Sequence, residues 1–338
     1  MGVILIPMHP LIRAFLAPII VTLLGLSVVG AWGGTTALGI AILLVILEVT
    51  LSFDNAVVNA KVLKQLSEKW QRRFLTWGIL LSVVLTRALL PIAIVAISTG
   101  VSYFTIAHIA LNDGVRYGEL LEGAHVIIAS FGGIFLTLVG LRYFFDKEKQ
   151  VHWIQSIEKK LAEWGTIESV VIGLALLILF LISFALPEHR TEVLFAGLAG
   201  VLVFVTLQGI ISAFGAESLK VHHTGLALFV YLNVLDAAFS LDSVVGAFAL
   251  STQLPVIIVG LGSGAYFVRS LTVYMVQHKV LDELIYIEHG AHWAILGLAG
   301  AMLGSMFIDL PEPITGLIGL VLVILAYISS IRIEKRAA

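Results

Sequence analysis

Glu48-Val-Thr-Leu-Ser52-Phe-Asp54-Asn55 interrupts an apolar run in the first half of the chain, and Asp236-Ala-Ala-Phe-Ser240-Leu-Asp242-Ser243 interrupts another in the second. Both read acid-x-x-x-Ser-x-Asp-(Asn/Ser), and both fall where the flanking residues are those of a membrane helix. A carboxylate in the hydrocarbon core costs at least ~2.5 kcal/mol on the most lenient insertion scale, so four of them require a shared purpose. Composition agrees with the membrane setting. Of 338 residues 59% are hydrophobic and only 12% charged, with mean hydropathy +1.04, against roughly half apolar and a quarter charged in soluble domains.

Working outward from the motifs, apolar stretches of spanning length recur at 14–32, 36–58, 75–98, 123–145, 168–186, 191–213, 225–249, 255–276, 290–307 and 313–331. Alternating ten-residue strands, the mark of a membrane barrel, are absent from the sequence. The expected fold is all-α: a polytopic membrane protein of about ten transmembrane helices. Lys61, Lys64, Lys69, Arg72 and Arg73 follow the second span, and Lys147, Lys149, Lys159 and Lys160 follow the fourth. Lys220, Lys279, Arg332, Lys335 and Arg336 fall on the same side, and the opposite loops hold only Arg116 and Arg190. The excess of basic residues places both termini in the cytoplasm of a multi-pass inner (plasma) membrane protein. The first span reads as a helix rather than a cleaved leader, because it exceeds a typical apolar leader core and has no compelling cleavage pattern.

Several function classes are excluded. With no cysteine there is no thiolate metal site or cysteine nucleophile, and five scattered methionines disfavour soft-metal transport. Gly260-Leu-Gly262-Ser-Gly264 has no preceding strand and reads as close helix packing rather than a phosphate loop. No nucleotide-binding domain and no nucleic-acid-binding region fits, and no enzymatic activity or bound cofactor is expected. The loop 146–166 places Val151, Ile154, Leu161 and Trp164 at helical spacing among charges, as in an amphipathic helix at the lipid surface.

The repeat extends beyond the acids. Arg87 follows the first motif by one span, and Glu122-Gly-Ala-His125 opens the next. Arg269 and Glu288-His-Gly-Ala-His292 occupy the same places after the second motif. Five spans separate equivalent points, and an odd number inverts the second unit relative to the first. Two inverted three-helix repeats result, an architecture that builds a midplane site with alternating access. The chain divides into an N-terminal helix (1–35), repeat 1 (36–146), an amphipathic loop with two linking helices (147–224), repeat 2 (225–308), and a C-terminal helix with a basic tail (309–338).

On ideal helices Glu48, Ser52, Asn55 and Asn59 share one face, as do Asn233, Asp236, Ser240 and Ser243. Asp54 and Asp242 sit about 120° away from Glu48 and Asp236 and about 9 Å further along. Either each Asp turns to a neighbouring helix, where Arg87 or Arg269 pairs with it, or a motif helix unwinds and gathers both acids on one ion. Four carboxylates against two guanidiniums leave two negative charges, which a divalent cation or two protons would neutralise. Carboxylate, hydroxyl and amide oxygens suit a hard cation, with His125 and His292 as further donors. Competition between metal and protons for the acids would couple the two flows. The simpler readings stay beside these: Arg87 and Arg269 as structural counter-ions, the two histidines as interfacial groups, Ser52 and Ser240 bonded to the carbonyl four residues back.

Glu48-Val-Thr-Leu-Ser52-Phe-Asp54-Asn55-Ala resembles the signature helix of the TerC-like integral membrane proteins, and the paired motif and Gly-Ala-His segments are similar to that family over roughly 36–308. The family is grouped by fold with LysE-type exporters. The resemblance implies efflux of a metal ion, chiefly Mn2+, with protons as counter-substrate and an association with tellurite resistance. By motif position it implies that Glu48, Asp54, Asp236 and Asp242 carry metal and protons, assisted by Asn55 and Ser243. Ser52, Ser240, Asn233, Arg87, Arg269, His125 and His292 form the supporting set. Asp236 in place of a second Glu and Ser243 in place of a second Asn mark a divergent branch. A non-transporting scaffold of tellurite-resistance type, a LysE-like exporter of a small organic cation and an intramembrane hydrolase are the competing readings.

Overall fold

The computed structural model describes residues 10–164, 169–215, 221–308, 310 and 312–337. Every regular element among them is helical. The order is α1 (Pro10–Leu51), α2 (Phe53–Leu63), α3 (Glu68–Leu80), a π-helical stretch (Leu81–Leu89) and α4 (Leu90–Thr99). It continues with α5 (Tyr103–Asn112), α6 (Gly114–Gly123), α7 (His125–Phe144), α8 (Gln155–Trp164), α9 (Ser169–Ala185) and α10 (Arg190–Gly215). The remainder is α11 (Val221–Leu250), α12 (Leu254–Gln277), α13 (Val280–Glu283), α14 (Ile287–Gly304) and α15 (Glu312–Ala337).

Five helical segments among the described residues are long and apolar enough to cross a bilayer: Ala14–Leu51, Glu68–Thr99, His125–Phe144, Arg190–Ser212 and Leu254–Gln277. The bent pair α8–α9 would make a sixth, and Gly225–Leu241 and Leu317–Ile333 are apolar but shorter. Ten stretches of hydropathy thus yield fewer helices that meet the criterion alone. Two of the ten share α1, and within α11 and α15 some side chains lie outside the described residues.

α1 is not one straight rod. Gly34 has φ 73° and ψ −168°, a conformation that only glycine adopts without strain. The two arms on either side both pack on α12. Phe15 in the first arm stacks on Phe267 with ring centroids 6.2 Å apart. In the second arm Leu44 lies against Gly260 and the Glu48 stem against Gly264. Sequence number falls along α12 as the first arm rises and rises with the second, so the chain reverses at Gly34.

Pro91 explains the π-helical stretch. It has no N–H for the Arg87 carbonyl four residues back and its ring crowds that carbonyl, so the turns ahead of it widen. α7 and α14 lie antiparallel and close: Gly133 abuts Leu303, and Gly140 abuts Leu296 and the His292 carbonyl. Outward-facing side chains are themselves apolar, among them Ile97, Phe195, Leu202, Val28 and Leu24. A water-soluble chain would not leave so broad an apolar surface, and this protein is embedded in a membrane.

Candidate functional site

The second arm of α1 carries Glu48 into the bundle, where it is 2% exposed. A buried carboxylate demands compensation, and Arg87 on the π-helical stretch provides it: Nη2 donates to Glu48 Oε1 at 2.5 Å. Ser52 Oγ donates to the same oxygen at 3.2 Å. Arg87 Nη1 donates to the Ser82 carbonyl at 3.0 Å and to Ser82 Oγ at 2.5 Å. The Ser82 hydroxyl donates in turn to Asp236 Oδ2 at 2.7 Å, and Arg269 Nη2 donates to that oxygen at 2.8 Å. Asn233 Oδ1 accepts from Arg269 at 3.4 Å, and the guanidinium lies 4.4 Å over the Phe74 ring. Glu48, Arg87, Ser82, Asp236 and Arg269 therefore form one buried chain whose four formal charges cancel.

The duplicated arginines pair with the first acid of each motif, not with Asp54 as one sequence reading had it. The helix does break, in the first copy alone. α1 ends at Leu51 and α2 begins at Phe53, with Ser52 at φ −100° and ψ 17°, whereas α11 runs unbroken through the second motif. The fault is one residue long, since Ser52 N–H still bonds the Glu48 carbonyl at 3.0 Å and Ala56 N–H the Ser52 carbonyl at 3.2 Å. It does not gather Glu48 and Asp54 onto one ion. Asp54 turns instead towards α14 and α15, where a methyl on Gly319 would sit 3.2 Å from its Oδ2.

Asp54 is 4% exposed and has no ion pair among the described residues; its hydrogen bond comes from the adjacent Asn55 N–H at 3.0 Å. The break puts it in the first turn of a new helix, where the dipole favours an anion. Three further oxygens of this motif region are buried with no partner among the described residues: Glu48 Oε2, Asn55 Oδ1 and Asn59 Oδ1. In the second motif Ser243 Oγ donates to the Ser240 carbonyl at 3.0 Å and Asn233 Nδ2 to the Phe229 carbonyl at 2.7 Å. The Asp242 side chain lies outside the described residues. Among those described, no group of three His, Asp or Glu side chains is assembled for a metal ion. The expected joint set of Glu48, Asp54 and Asp236 is thus not brought together, because arginines hold two of the three.

His125 Nε2 meets Ser305 Oγ at 3.0 Å, and His292 stacks on Tyr143 with centroids 3.6 Å apart. Neither histidine touches the buried charges. His292 lines a cavity of about 640 Å3 at the lysine-rich end of the bundle, with Lys61, Gln65, Arg142, Tyr143 and Tyr231. Lys61 bridges from α2 to Glu288 at 2.9 Å, so Glu288 serves a cation as well as its helix terminus.

Sequence reasoning missed Ser82, the hydroxyl that joins the two halves, and missed Glu158. Glu158 on α8 is fully buried. Its carboxylate accepts from His289 at 2.7 Å, Trp293 at 3.0 Å, Lys149 at 3.3 Å, and the Trp153 and Ile154 N–H groups at 3.1 and 3.2 Å. Burial raises its pKa, but these donors and the neighbouring positive charge more than offset this and hold it near about 2. The signal in the sequence was a lone acid on the apolar side of an amphipathic pattern.

A helical membrane protein with a buried, self-neutralising charge relay is the class that fold and site define. The chain belongs to the family described as "Protein of unknown function (DUF475)", whose model matches residues 53–337. No curated protein and no solved structure shows significant similarity to it.

Proposed function

We propose that the protein is a secondary transporter that exports a hard divalent cation, Mn2+ foremost, in exchange for protons. The observation that carries the reading is Asp54: a buried carboxylate with no counter-ion among the described residues, beside buried amide oxygens that have no donor. A charge so placed is stable only when protonated or when a cation sits on it, which is the exchange required. Glu48, Ser52, Asn55 and Asn59, all buried on either side of the break, carry oxygens suited to hard ions. Arg87 acts as the resident cation on Glu48 and yields that carboxylate as cargo arrives. Asp236, held by Arg269 and Ser82, anchors the relay.

The reading includes ten spans, two inverted repeats, both termini cytoplasmic in the inner membrane, and kinship with TerC-like proteins. Matching ion pairs support the repeats: Glu48 with Arg87 in one unit, Asp236 with Arg269 in the other. So does the antiparallel pairing of the two Gly-Ala-His helices. Asp242 and Ser243 belong to the proposed metal set by motif position. Uptake of Mn2+, Ca2+, Zn2+ and Mg2+ into inverted vesicles, with internal pH recorded, tests the proposal. Mn2+ entry coupled to proton movement is expected, and silence for every ion would sink it.

One observation favours a second reading, a LysE-like exporter of a small organic cation. An apolar cavity of about 820 Å3 opens between α4, α7, α10 and α11, with Phe131, Phe195 and Phe229 in its wall and Glu192 as its acidic residue. Its size suits a small organic ligand. Transport of organic cations without metal flux would select it.

A further inference from the structure

α8 presents one apolar face, and only one edge of it meets the protein. Leu161 packs on the main core, on the same side as buried Glu158. Ile157 and Trp164, seven residues apart and so within about 20° of each other on an ideal helix, form the other edge. They are 45% and 63% exposed, with the exposed Lys160 alongside. The axes of α8 and α9 meet at 107°, so if α9 crosses the bilayer, α8 lies nearly in its plane. This is also the end of the bundle where the chain's lysines and arginines concentrate. A helix in that attitude, with an uncovered apolar stripe and a lysine beside it, has the make-up of one seated at the headgroup–acyl boundary.

Glu158 decides which edge is turned outward. Its five donors come from two places: Lys149, Trp153 and Ile154 in the segment leading into α8, and His289 and Trp293 on α14. The two from α14 are His289 and Trp293, on either side of His292 in the wall of the 640 Å3 cavity. Each donor fixes rotation as well as position, because a carboxylate aimed at α14 leaves Ile157 and Trp164 about 100–120° away from the bundle.

We propose that α8 is a membrane-surface strap: its Ile157–Trp164 stripe binds the lipid headgroup–acyl boundary, and Glu158 pins the helix in that rotation against α14. The partner is the bilayer surface itself. This inference is independent of what the protein transports.

The chain has no cysteine, so single cysteines can be introduced and spin-labelled directly in protein reconstituted into phosphatidylethanolamine–phosphatidylglycerol nanodiscs. Labels at 157 and 164 should collide with lipid-soluble oxygen more than with an aqueous nickel chelate. Labels at 156 and 163, about 100° round the helix on its exposed polar side, should show the reverse. In Glu158→Gln the contrast between the two pairs of labels should shrink or vanish. If that variant does not insert, Trp293→Phe, which removes one donor, should narrow the contrast by less. Nickel access at 157 and 164 equal to that at 156 and 163 would overturn the lipid contact, as would low access to both reagents, the sign of a protein cover. An undiminished contrast in folded Glu158→Gln would overturn the pinning role.

Discussion

The two acidic motifs share a residue pattern, but among the described residues the network around Asp236 leaves a donor, Arg269 Nε, unmatched, whereas the first motif leaves carboxylate and amide oxygens without a donor. In the second, α11 is continuous, Asp236 receives Ser82 and Arg269, and Ser243 and Asn233 bond to carbonyls of their own helix. In the first, the helix breaks at Ser52, Asp54 has no ion pair among the described residues, and Glu48 Oε2, Asn55 Oδ1 and Asn59 Oδ1 have no partner. Satisfied polar networks rigidify, and unsatisfied acceptors in a low dielectric await a cation or a proton. In the transport proposed above, Asp236 and Arg269 serve as the anchor and Asp54 as the site of ion capture.

The largest effect should come from breaking the anchor. Asp236→Leu leaves Arg269 buried without its carboxylate and should destabilise the protein by about 3–5 kcal/mol, read as a lower midpoint in detergent unfolding. Adding Arg269→Met should restore most of that loss, since an apolar pair of similar volume is often neutral. Glu48→Gln should be milder, because Arg87 keeps Ser82. Equal losses at the two sites would erase the proposed division.

Next in size is Gly319→Ala. The added methyl would stand 3.2 Å from Asp54 Oδ2, so crowding of about 1–3 kcal/mol falls on the capture side alone. Ion affinity should drop while the Asp236–Arg269 anchor stays intact, measured by titration calorimetry beside a thermal melt. Smallest is the contrast between Ser243→Ala and Asn55→Ala. The first forfeits one hydrogen bond of about 1 kcal/mol within its own helix and should lower ion affinity less than the second. The second removes an acceptor that has no partner to lose and should weaken ion binding with little change in stability.

Acid separates the strap from both motifs. Glu158 has its pKa depressed to about 2 from 4.5, so the stability it contributes is full above about pH 4.5 and falls away as pH drops towards 2. Protection of α8 from proteolysis should follow that window, and loss of protection near pH 6 would show that another group controls the latch.

How far the sequence alone carries can be judged from these same residues. Composition settled the membrane class, and the duplicated motif pointed to Glu48, Arg87, Asp236 and Arg269, which do lie in one buried relay. The pairing scheme was only partly legible. Ideal-helix angles separate Asp54 from Glu48, but they do not tell which of the two an arginine on another helix will reach. The π-helical stretch that positions Ser82 and Arg87 depends on Pro91, and its effect on the preceding turns is tertiary in expression. Hydropathy divided this region into two spans at 33–35, where the chain does reverse at Gly34, but the backbone angle that makes the turn is not written in it. Glu158 escaped because its partners His289 and Trp293 lie far along the chain.

The central claim is that Asp54 is the carboxylate on which metal and protons compete. Proteoliposomes containing wild type or Asp54→Asn, matched for insertion by the thermal melt, should be given a Mn2+ gradient while lumenal pH is followed. Mn2+-driven proton movement is expected in wild type and should be lost in Asp54→Asn, with the fold retained. Coupled flux that survives in Asp54→Asn would contradict it.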